Sequence, residues 1–154
     1  MITLRPFADP DAPALAGLMT EMARFYDAAI RPETDVAADI LVHARGVDIL
    51  LACDAQGLVG FATFATLFPV GAARSFTYIQ QVYVAVRARR RGVARRLIAG
   101  VAQAAQGRGC ARLEWTTSIG NAAARALYDG LGAVGSEKLQ YVLEGEALER
   151  LATR

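Results

Sequence analysis

The stretch from residue 75 to 107 constrains the fold most, because a strand, a basic turn and a helix follow one another in it directly. Phe76 to Val86 is rich in aromatic and β-branched residues, which predicts a strand. The next ten residues, Arg87 to Arg96, include six arginines. Apolar residues then recur every four positions, at Val93, Leu97 and Val101, and this spacing predicts an amphipathic helix. The chain is therefore expected to be organised around a βα unit.

A strand, a glycine-containing turn and a helix in that order form an anion-binding arrangement. The first N–H groups of a helix lack intrahelical partners and carry the positive end of the helix dipole. Residues 89–94 fit the pattern [R/Q]-x-x-G-x-[G/A], in which Gly92 and Ala94 allow close approach of a ligand. A phosphate-ligand site, a solvated arginine cluster and a nucleic-acid patch all remain open. No base-stacking aromatics interleave with the arginines, which counts against nucleic acid.

Length and composition predict one packed domain over residues 1–154, with 54% hydrophobic residues and a mean hydropathy of +0.26. The formal charge of +2 is too small to indicate a general nucleic-acid binder. Two cysteines and a single histidine, His43, argue against a disulfide framework, a histidine triad or a zinc site. We find no signal peptide and no 18-residue apolar run, so a cytoplasmic protein without a membrane partner is expected.

The order of predicted elements specifies the fold class. In the first half we expect a strand at 2–5, a helix from Asp9 (N-cap) and Pro10 to about Tyr26, a helix from Thr34 or Asp35, and strands at 48–53 and 58–68 around a turn at 54–57. After the central unit we expect a strand at 111–117, a helix capped by Asn121 that ends near 131–132, strand pieces at 133–134 and 139–143, and a helix at 146–151. This order predicts an α/β (α+β) mixed sheet of about six to seven strands with helices on both faces.

A second segment with chemical potential is Asn121 to Gly132. Asn121 and Tyr128 are seven residues apart, two helical turns, so both lie on one stripe of the predicted helix. Packing is the usual role of such a tyrosine, and a site role is the alternative.

These two segments resemble the GNAT superfamily of acyl-CoA-dependent N-acetyltransferases. The resemblance extends over nearly the whole chain, from Leu4-Arg5-Pro6 to Leu131-Gly132-Ala133. Within the superfamily the chain looks most similar to the diamine (spermidine/spermine, thialysine) acetyltransferases. That similarity is carried by residues 78–84, by Glu114-Trp115 and by the tail at 141–152. The resemblance implies a sheet in which two central strands splay apart to admit acetyl-CoA.

The resemblance also implies roles for particular residues. The implied cofactor-binding set comprises main-chain groups for pantetheine at Val82, Tyr83 and Val84, a pyrophosphate turn of Arg89, Arg90, Arg91, Gly92, Val93, Ala94 and Arg95, and Asn121 at the thiol end. Tyr128 would protonate the departing thiolate. Our own hypothesis for the substrate proton is a chain of waters led away by Gln80, or by an acid such as Glu21, Asp27 or Glu114. Tyr26, Tyr78 and Gln81 are the candidate substrate-binding residues. Gln80-Gln81 stands where the diamine branch carries an acidic pair, and glutamine cannot take a proton from an ammonium group.

The expected function is direct transfer of an acetyl group from acetyl-CoA to a primary amine of a small molecule, diamine-like or amino-acid-like. Two alternatives remain open: acetylation of a protein N-terminus or lysine, and a non-catalytic module that binds acyl-CoA and regulates. A homodimer that uses the tail from Tyr141 is a further open expectation.

Overall fold

The computed structural model describes residues 1–153, and the chain divides into two compact units, Met1–Ser118 and one that begins at Ile119. The first unit contains strands β1 (Thr3–Pro6), β2 (Asp48–Asp54), β3 (Gly57–Val70), β4 (Arg74–Val84) and β5 (Leu113–Glu114), and helices α1 (Ala12–Phe25), α2 (Glu33–His43) and α3 (Val93–Gly107). The second unit contains α4 (Ala122–Asp129) and α5 (Gly145–Ala152). The prediction of a single domain stays a prediction.

The sheet is mixed, as predicted. Its strand order is β1-β2-β3-β4-β5, with antiparallel pairing as far as β4 and a parallel pair between β4 and β5. Residues 1–153 form five strands where six to seven were expected, because β5 is only two residues long and residues 133–143 form no strand. The apolar alternation at 139–143 was therefore misleading. A strand needs a neighbour for its N–H and C=O groups, and within the described chain no strand pairs with this segment.

Helices cover both faces of the sheet. On one face, Phe61 and Tyr83 pack into a buried cluster with Leu15 and Leu18 of α1. On the other face lies α3, whose apolar stripe is almost completely buried. Gly60, the neighbour of Phe61, allows α3 to pack closely on the sheet, because a Cβ there would lie 3.3 Å from side-chain atoms of α3. Successive residues of a strand face opposite sides, so the two helix layers are separated by the sheet.

The start of the first helix differs from the prediction. A short 3₁₀ turn at Asp9–Asp11 precedes α1, and the carboxylate of Asp11, two residues beyond the predicted cap, accepts the N–H of Ala8 at 2.9 Å. Arg5 donates two hydrogen bonds of 2.6 Å to the same carboxylate. These contacts, with Arg5 first, hold the pKa of Asp11 below its usual value. Prediction of Asp9 as the N-cap was wrong because the guanidinium on β1 selects Asp11.

Candidate functional site

The sheet opens between its two parallel strands. β4 and β5 pair only at Thr77↔Leu113 and Tyr78↔Glu114. Beyond this point β4 continues to Val84, while β5 has ended. The hydroxyl groups of Tyr78 and Thr116 lie 3.2 Å apart where the strands separate. From Ile79 onward, one edge of β4 has no strand beside it among the described residues.

A β-bulge lies at this opening. Ile79 pairs with Phe64 and Gln81 pairs with Thr63, so Gln80 is an extra residue in β4. Bulges of this kind re-aim the strand that carries them and often adjoin functional sites. The side chain of Gln80 is exposed, and that of Gln81 is half-buried. The two glutamines singled out in the sequence therefore stand at the irregular point of the central strand.

The bulge changes which main-chain groups face the opening. The N–H of Thr77 donates to Arg112 on the β5 side at 3.0 Å, whereas that of Ala85 donates to Val59 of β3 at 2.9 Å. In a regular strand two residues an even number apart donate toward the same side. The extra residue between them reverses the alternation.

Val82 and Val84 consequently present their N–H and C=O groups to the open edge, while the main chain of Tyr83 lies on the β3 side, in register with Phe61. The C=O of Val84 accepts a hydrogen bond of 3.2 Å from Nε of Arg89. Of the three residues predicted to contact pantetheine through the main chain, two are thus placed at the opening. The third, Tyr83, belongs to the interior of the sheet.

The side chain of Tyr83 is part of a network that the sequence did not reveal. Its hydroxyl donates to Oε1 of Glu21 at 3.0 Å, and the same oxygen accepts the N–H of Val86 at 2.8 Å. Burial, followed by the hydrogen bond to Glu21, raises the pKa of Tyr83. Glu21 on α1 therefore fixes the chain where β4 passes into the arginine turn. Glu21 is also one of the candidate proton acceptors. Its contacts with Tyr83 and Val86 indicate that it positions this turn instead.

The arginine turn ends at a helix N-terminus that is open to a ligand. Gly92 has φ +74°, in the left-handed region that favours glycine, and α3 begins at the next residue, Val93, as predicted. No side chain caps this end of α3 among residues 1–153. A Cβ built on Gly92 would meet no atom of the described chain within 4 Å. An anion can therefore reach the first N–H groups of the helix.

Three arginine side chains of the turn contact the protein itself. Arg87 and Arg91 each lie 3.1 Å from Oδ2 of Asp54, the last residue of β2. Arg89 stacks on the ring of Phe25, with 3.9 Å between its guanidinium carbon and the ring centroid. These contacts count against a purely solvated cluster, because Arg87, Arg89 and Arg91 hold the turn against neighbouring elements. The N–H groups, not these side chains, remain the groups directed at an anion.

Asp54 is expected to support the turn in a pH-dependent manner. The N–H of Gln56, then the guanidinium groups of Arg91 and Arg87, lower the pKa of its carboxyl in the folded chain. A group with a lowered pKa stabilises the fold above its unfolded pKa of about 4, and that contribution is lost as the pH falls through the folded value. Asp54→Asn should therefore reduce the urea midpoint at pH 7 but change it little at pH 2.5.

The control for this experiment is Asp9→Asn, at an exposed carboxylate for which residues 1–153 supply no side-chain hydrogen bond. It should leave the midpoint unchanged at both pH values. An equal loss for Asp54→Asn at pH 7 and pH 2.5 would contradict the role assigned to the ion pairs.

The second unit contains the remaining candidates. Asn121 caps α4 as predicted, with its Oδ1 accepting the N–H of Ala124 at 3.2 Å. The helix ends at Asp129, slightly before the predicted end near 131–132. Tyr128 lies in its last turn and is half-buried. The contact of Asn121 with pantetheine and the acid role of Tyr128 stay predictions.

The candidate substrate residues lie in two parts of the first unit. Tyr78 and Gln81 lie on β4, beside the opening. Tyr26 follows α1, is 56% exposed and packs edge-to-face on Phe25, with 5.0 Å between the ring centroids.

No helix within residues 1–153 is long and apolar enough to cross a membrane. In the same part of the chain no group of three or more His, Cys, Asp or Glu side chains could hold a metal ion.

A mixed sheet that opens beside its central strand, followed by a helix with an uncapped N-terminus, defines a class of α/β protein in which an anion can lie at the helix start. Comparison with protein families agrees with this class. The model of the acetyltransferase (GNAT) family matches residues 15–133, and the chain belongs to this family. The fold is accordingly the GNAT fold.

Solved structures show the same fold. An integron cassette protein from the mobile metagenome of V. cholerae is 28% identical, with a TM-score of 0.89 over 99% of this chain and 98% of that one. A ribosomal-protein-alanine N-acetyltransferase from Brucella melitensis biovar Abortus 2308 is 25% identical, with a TM-score of 0.79 over 94% and 99%. An aminoglycoside acetyltransferase from an uncultured soil metagenomic sample is 16% identical, with a TM-score of 0.75 over 94% and 95%, a likeness of fold alone. No curated protein matches the chain.

Proposed function

We propose that this protein transfers an acetyl group from acetyl-CoA to a primary amine of a small molecule. The observation that carries the proposal is the open edge of β4, which leads into the uncapped N-terminus of α3. An extended strand edge offers alternating donors and acceptors to the amides of pantetheine, and a helix N-terminus suits a pyrophosphate. Membership of the acetyltransferase family supports the same conclusion.

The residues present fit acetyl-CoA. Val82 and Val84 offer main-chain groups to the pantetheine arm, and the N–H groups that follow Gly92 would hold the pyrophosphate. The space around Gly92 agrees with this fit, since a Cβ there would meet no neighbouring atom of the described residues within 4 Å and the uncapped start of α3 follows directly. Acetyl-CoA supplies an activated thioester.

The protein must first bind the amine in its neutral form. An alkyl ammonium has a pKa near ~10, so a proton has to leave before attack. Of the carboxylates considered for this step, Glu21 is engaged by Tyr83 and Val86, and Glu114 forms an ion pair with Arg112. Gln80, exposed at the bulge, is better placed to order a water that leads the proton to solvent.

The acetyl transfer would take place at the same open edge of β4. The neutral amine nitrogen would attack the thioester carbon, where the N–H of Val82 could stabilise the developing oxyanion. As the carbon–sulfur bond breaks, Tyr128, the acid that the family resemblance implies, would give its proton to the sulfur. The nitrogen would lose its second proton to water, and Tyr128 would regain a proton from water. A phenol and a thiol differ by about two pKa units, so this proton transfer is feasible.

A protein N-terminus is the second candidate acceptor. The ribosomal-protein-alanine N-acetyltransferase, whose name states such an acceptor, is 25% identical to this chain over nearly its full length. Gln80 and Gln81 favour it over a polyamine, because neither can neutralise a second ammonium group. The other alternative, a regulatory module that binds acyl-CoA without transfer, requires only the strand edge and the turn.

Purified protein mixed with acetyl-CoA and a panel of amines, with thiol release followed spectroscopically, tests the proposal. We expect release with at least one small primary amine. Release only with an alanine-initiated peptide would favour the second candidate. Tight CoA binding without release from any acceptor would favour the regulatory module, and the absence of CoA binding would refute the assigned cofactor site.

A further inference from the structure

A cavity of about 270 Å³ lies between the first two helices and the sheet. Its walls are mostly apolar, and besides His43 at the end of α2 they comprise Met19 from α1, Val36 and Ile40 from α2, Ala44 and Val47 after that helix, Ile49 from β2 and Thr63 from β3. An ion pair between Arg31 and Asp39, with 2.7 Å between nitrogen and oxygen, stands at its solvent side. The size and lining are those of a site for a small, mainly apolar group.

Thr63 gives the sheet side of this cavity a polar group. The residue is 6% exposed, and its hydroxyl oxygen is buried without a hydrogen-bond partner among residues 1–153. Buried polar groups in native proteins nearly always have a partner, and an orphan one calls for an explanation. A ligand that brings a hydroxyl or ether oxygen into the cavity would satisfy it.

The position of Thr63 connects the cavity to the proposed site of transfer. Thr63 pairs directly with Gln81, so the two side chains lie on the same face of the sheet. Tyr83, two residues after Gln81, faces α1 through its contact with Glu21. Gln81 therefore stands between the cavity and the open edge of β4. Neighbouring strands lie about 4.8 Å apart, so a chain of roughly five carbons spans from that edge to Thr63.

We propose that this cavity receives the body of the acceptor amine, and that it selects amines with an apolar chain ending in a neutral hydrogen-bonding group over diamines. The proposal rests on the proposed function and specifies its substrate class. A second ammonium group beside Thr63 would lie against apolar side chains and a neutral Gln81, while the carboxylate of Asp39 at the solvent side is already paired with Arg31, so diamines are disfavoured. A terminal hydroxyl would instead pair with Thr63.

Three probes with the same five-carbon chain test the selection: 5-aminopentan-1-ol, n-pentylamine and 1,5-diaminopentane. With wild type, we expect kcat/KM for the first two to exceed that for the diamine by at least tenfold. From n-propylamine to n-pentylamine it should rise about fourfold per methylene, as for burial of an apolar chain. A diamine that is acetylated as well as or better than the other two would overturn the proposal.

Two variants test the cavity itself. Thr63→Val keeps the shape of the side chain and removes the hydroxyl. The ratio of kcat/KM for 5-aminopentan-1-ol to kcat/KM for n-pentylamine should therefore fall at least tenfold. Ala44→Leu adds volume inside the cavity and should lower kcat/KM for all three amines at least tenfold, with acetyl-CoA affinity unchanged by calorimetry. The matched controls are Thr66→Val, on the opposite face of β3, and Ala38→Leu, on the exposed face of α2. Both should resemble wild type.

Failure of the proposed function can be distinguished from failure of the cavity proposal. If no amine is acetylated, binding of n-pentylamine is measured directly from amide chemical shifts. Saturable shifts around Ile40 and Ile49 that disappear in Ala44→Leu support the cavity as an amine site. The absence of such shifts at millimolar n-pentylamine, or their persistence in Ala44→Leu, overturns it.

Discussion

Replacement of Gly92 by valine should weaken acetyl-CoA binding by at least 100-fold, as measured by calorimetry. Two causes act together. The residue has φ +74°, and a β-branched side chain in the left-handed region costs about 1–2 kcal/mol, so the turn would shift. The side chain would also fill the space before the first N–H groups of α3, where the pyrophosphate is proposed to lie. Because that space contains no described atom of the protein, the free protein should still fold.

Two further variants separate these causes. Gly92→Asn keeps a residue type that tolerates the left-handed region and still adds a side chain, so it should weaken binding by crowding alone. Gly109→Val is the matched control for strain, since Gly109 has φ +68° and open space around its Cβ position in the described structure, but lies beyond the other end of α3. It should bind acetyl-CoA normally. Normal binding by Gly92→Val would remove the phosphate role from this turn.

Short-range sequence patterns were sufficient to predict the strand, turn and helix of residues 75–107. The β-branched run, the glycine and the four-residue apolar period lie within one continuous segment, and α3 begins at the residue that they predict. The predicted Val93, Leu97 and Val101 are among its five buried residues, and each is at most 2% exposed. Helix caps and apolar stripes are short-range features, so a sequence specifies them without knowledge of the rest of the fold.

Pairings between distant residues were not accessible in this way. Asp54 binds Arg87 and Arg91 across more than 30 residues, and nothing in the basic run itself indicates that partner. The same limit applies to the bulge, because a one-residue slip in strand register leaves the composition of β4 unchanged. Glu21 illustrates the consequence: the sequence suggested a proton acceptor, but contacts with Tyr83 and Val86 give it a positioning role.

The end of the chain shows the opposite error. Leu139, Tyr141 and Leu143 alternate with other residues as in a strand, yet they are 83%, 89% and 46% exposed and no strand forms there in the described residues. Alternation reports only that one face could be buried. Whether it becomes a strand depends on a partner, which the segment does not specify.

Conversion of Tyr128 to phenylalanine should lower kcat by about 100-fold, the usual contribution of a positioned general acid. The thiolate would then leave without a proton donor, whereas the aromatic ring that packs in α4 is retained. We expect the acetyl-CoA dissociation constant and the unfolding midpoint to change little, since the substitution removes one oxygen atom. Stopped-flow measurement of thiol release, at saturating amine, separates the chemical step from product dissociation.

Tyr141→Phe provides the matched control, because Tyr141 belongs to the same unit and is 89% exposed. The same loss of a hydroxyl there should leave kcat unchanged. A thioester whose thiol has a much lower pKa needs less help to depart, so Tyr128→Phe should lose far less activity with such an acyl donor than with acetyl-CoA. An equal loss with both donors would mean that Tyr128 acts on the structure of α4 and not on the leaving group. Unchanged turnover with acetyl-CoA would remove it from the mechanism altogether.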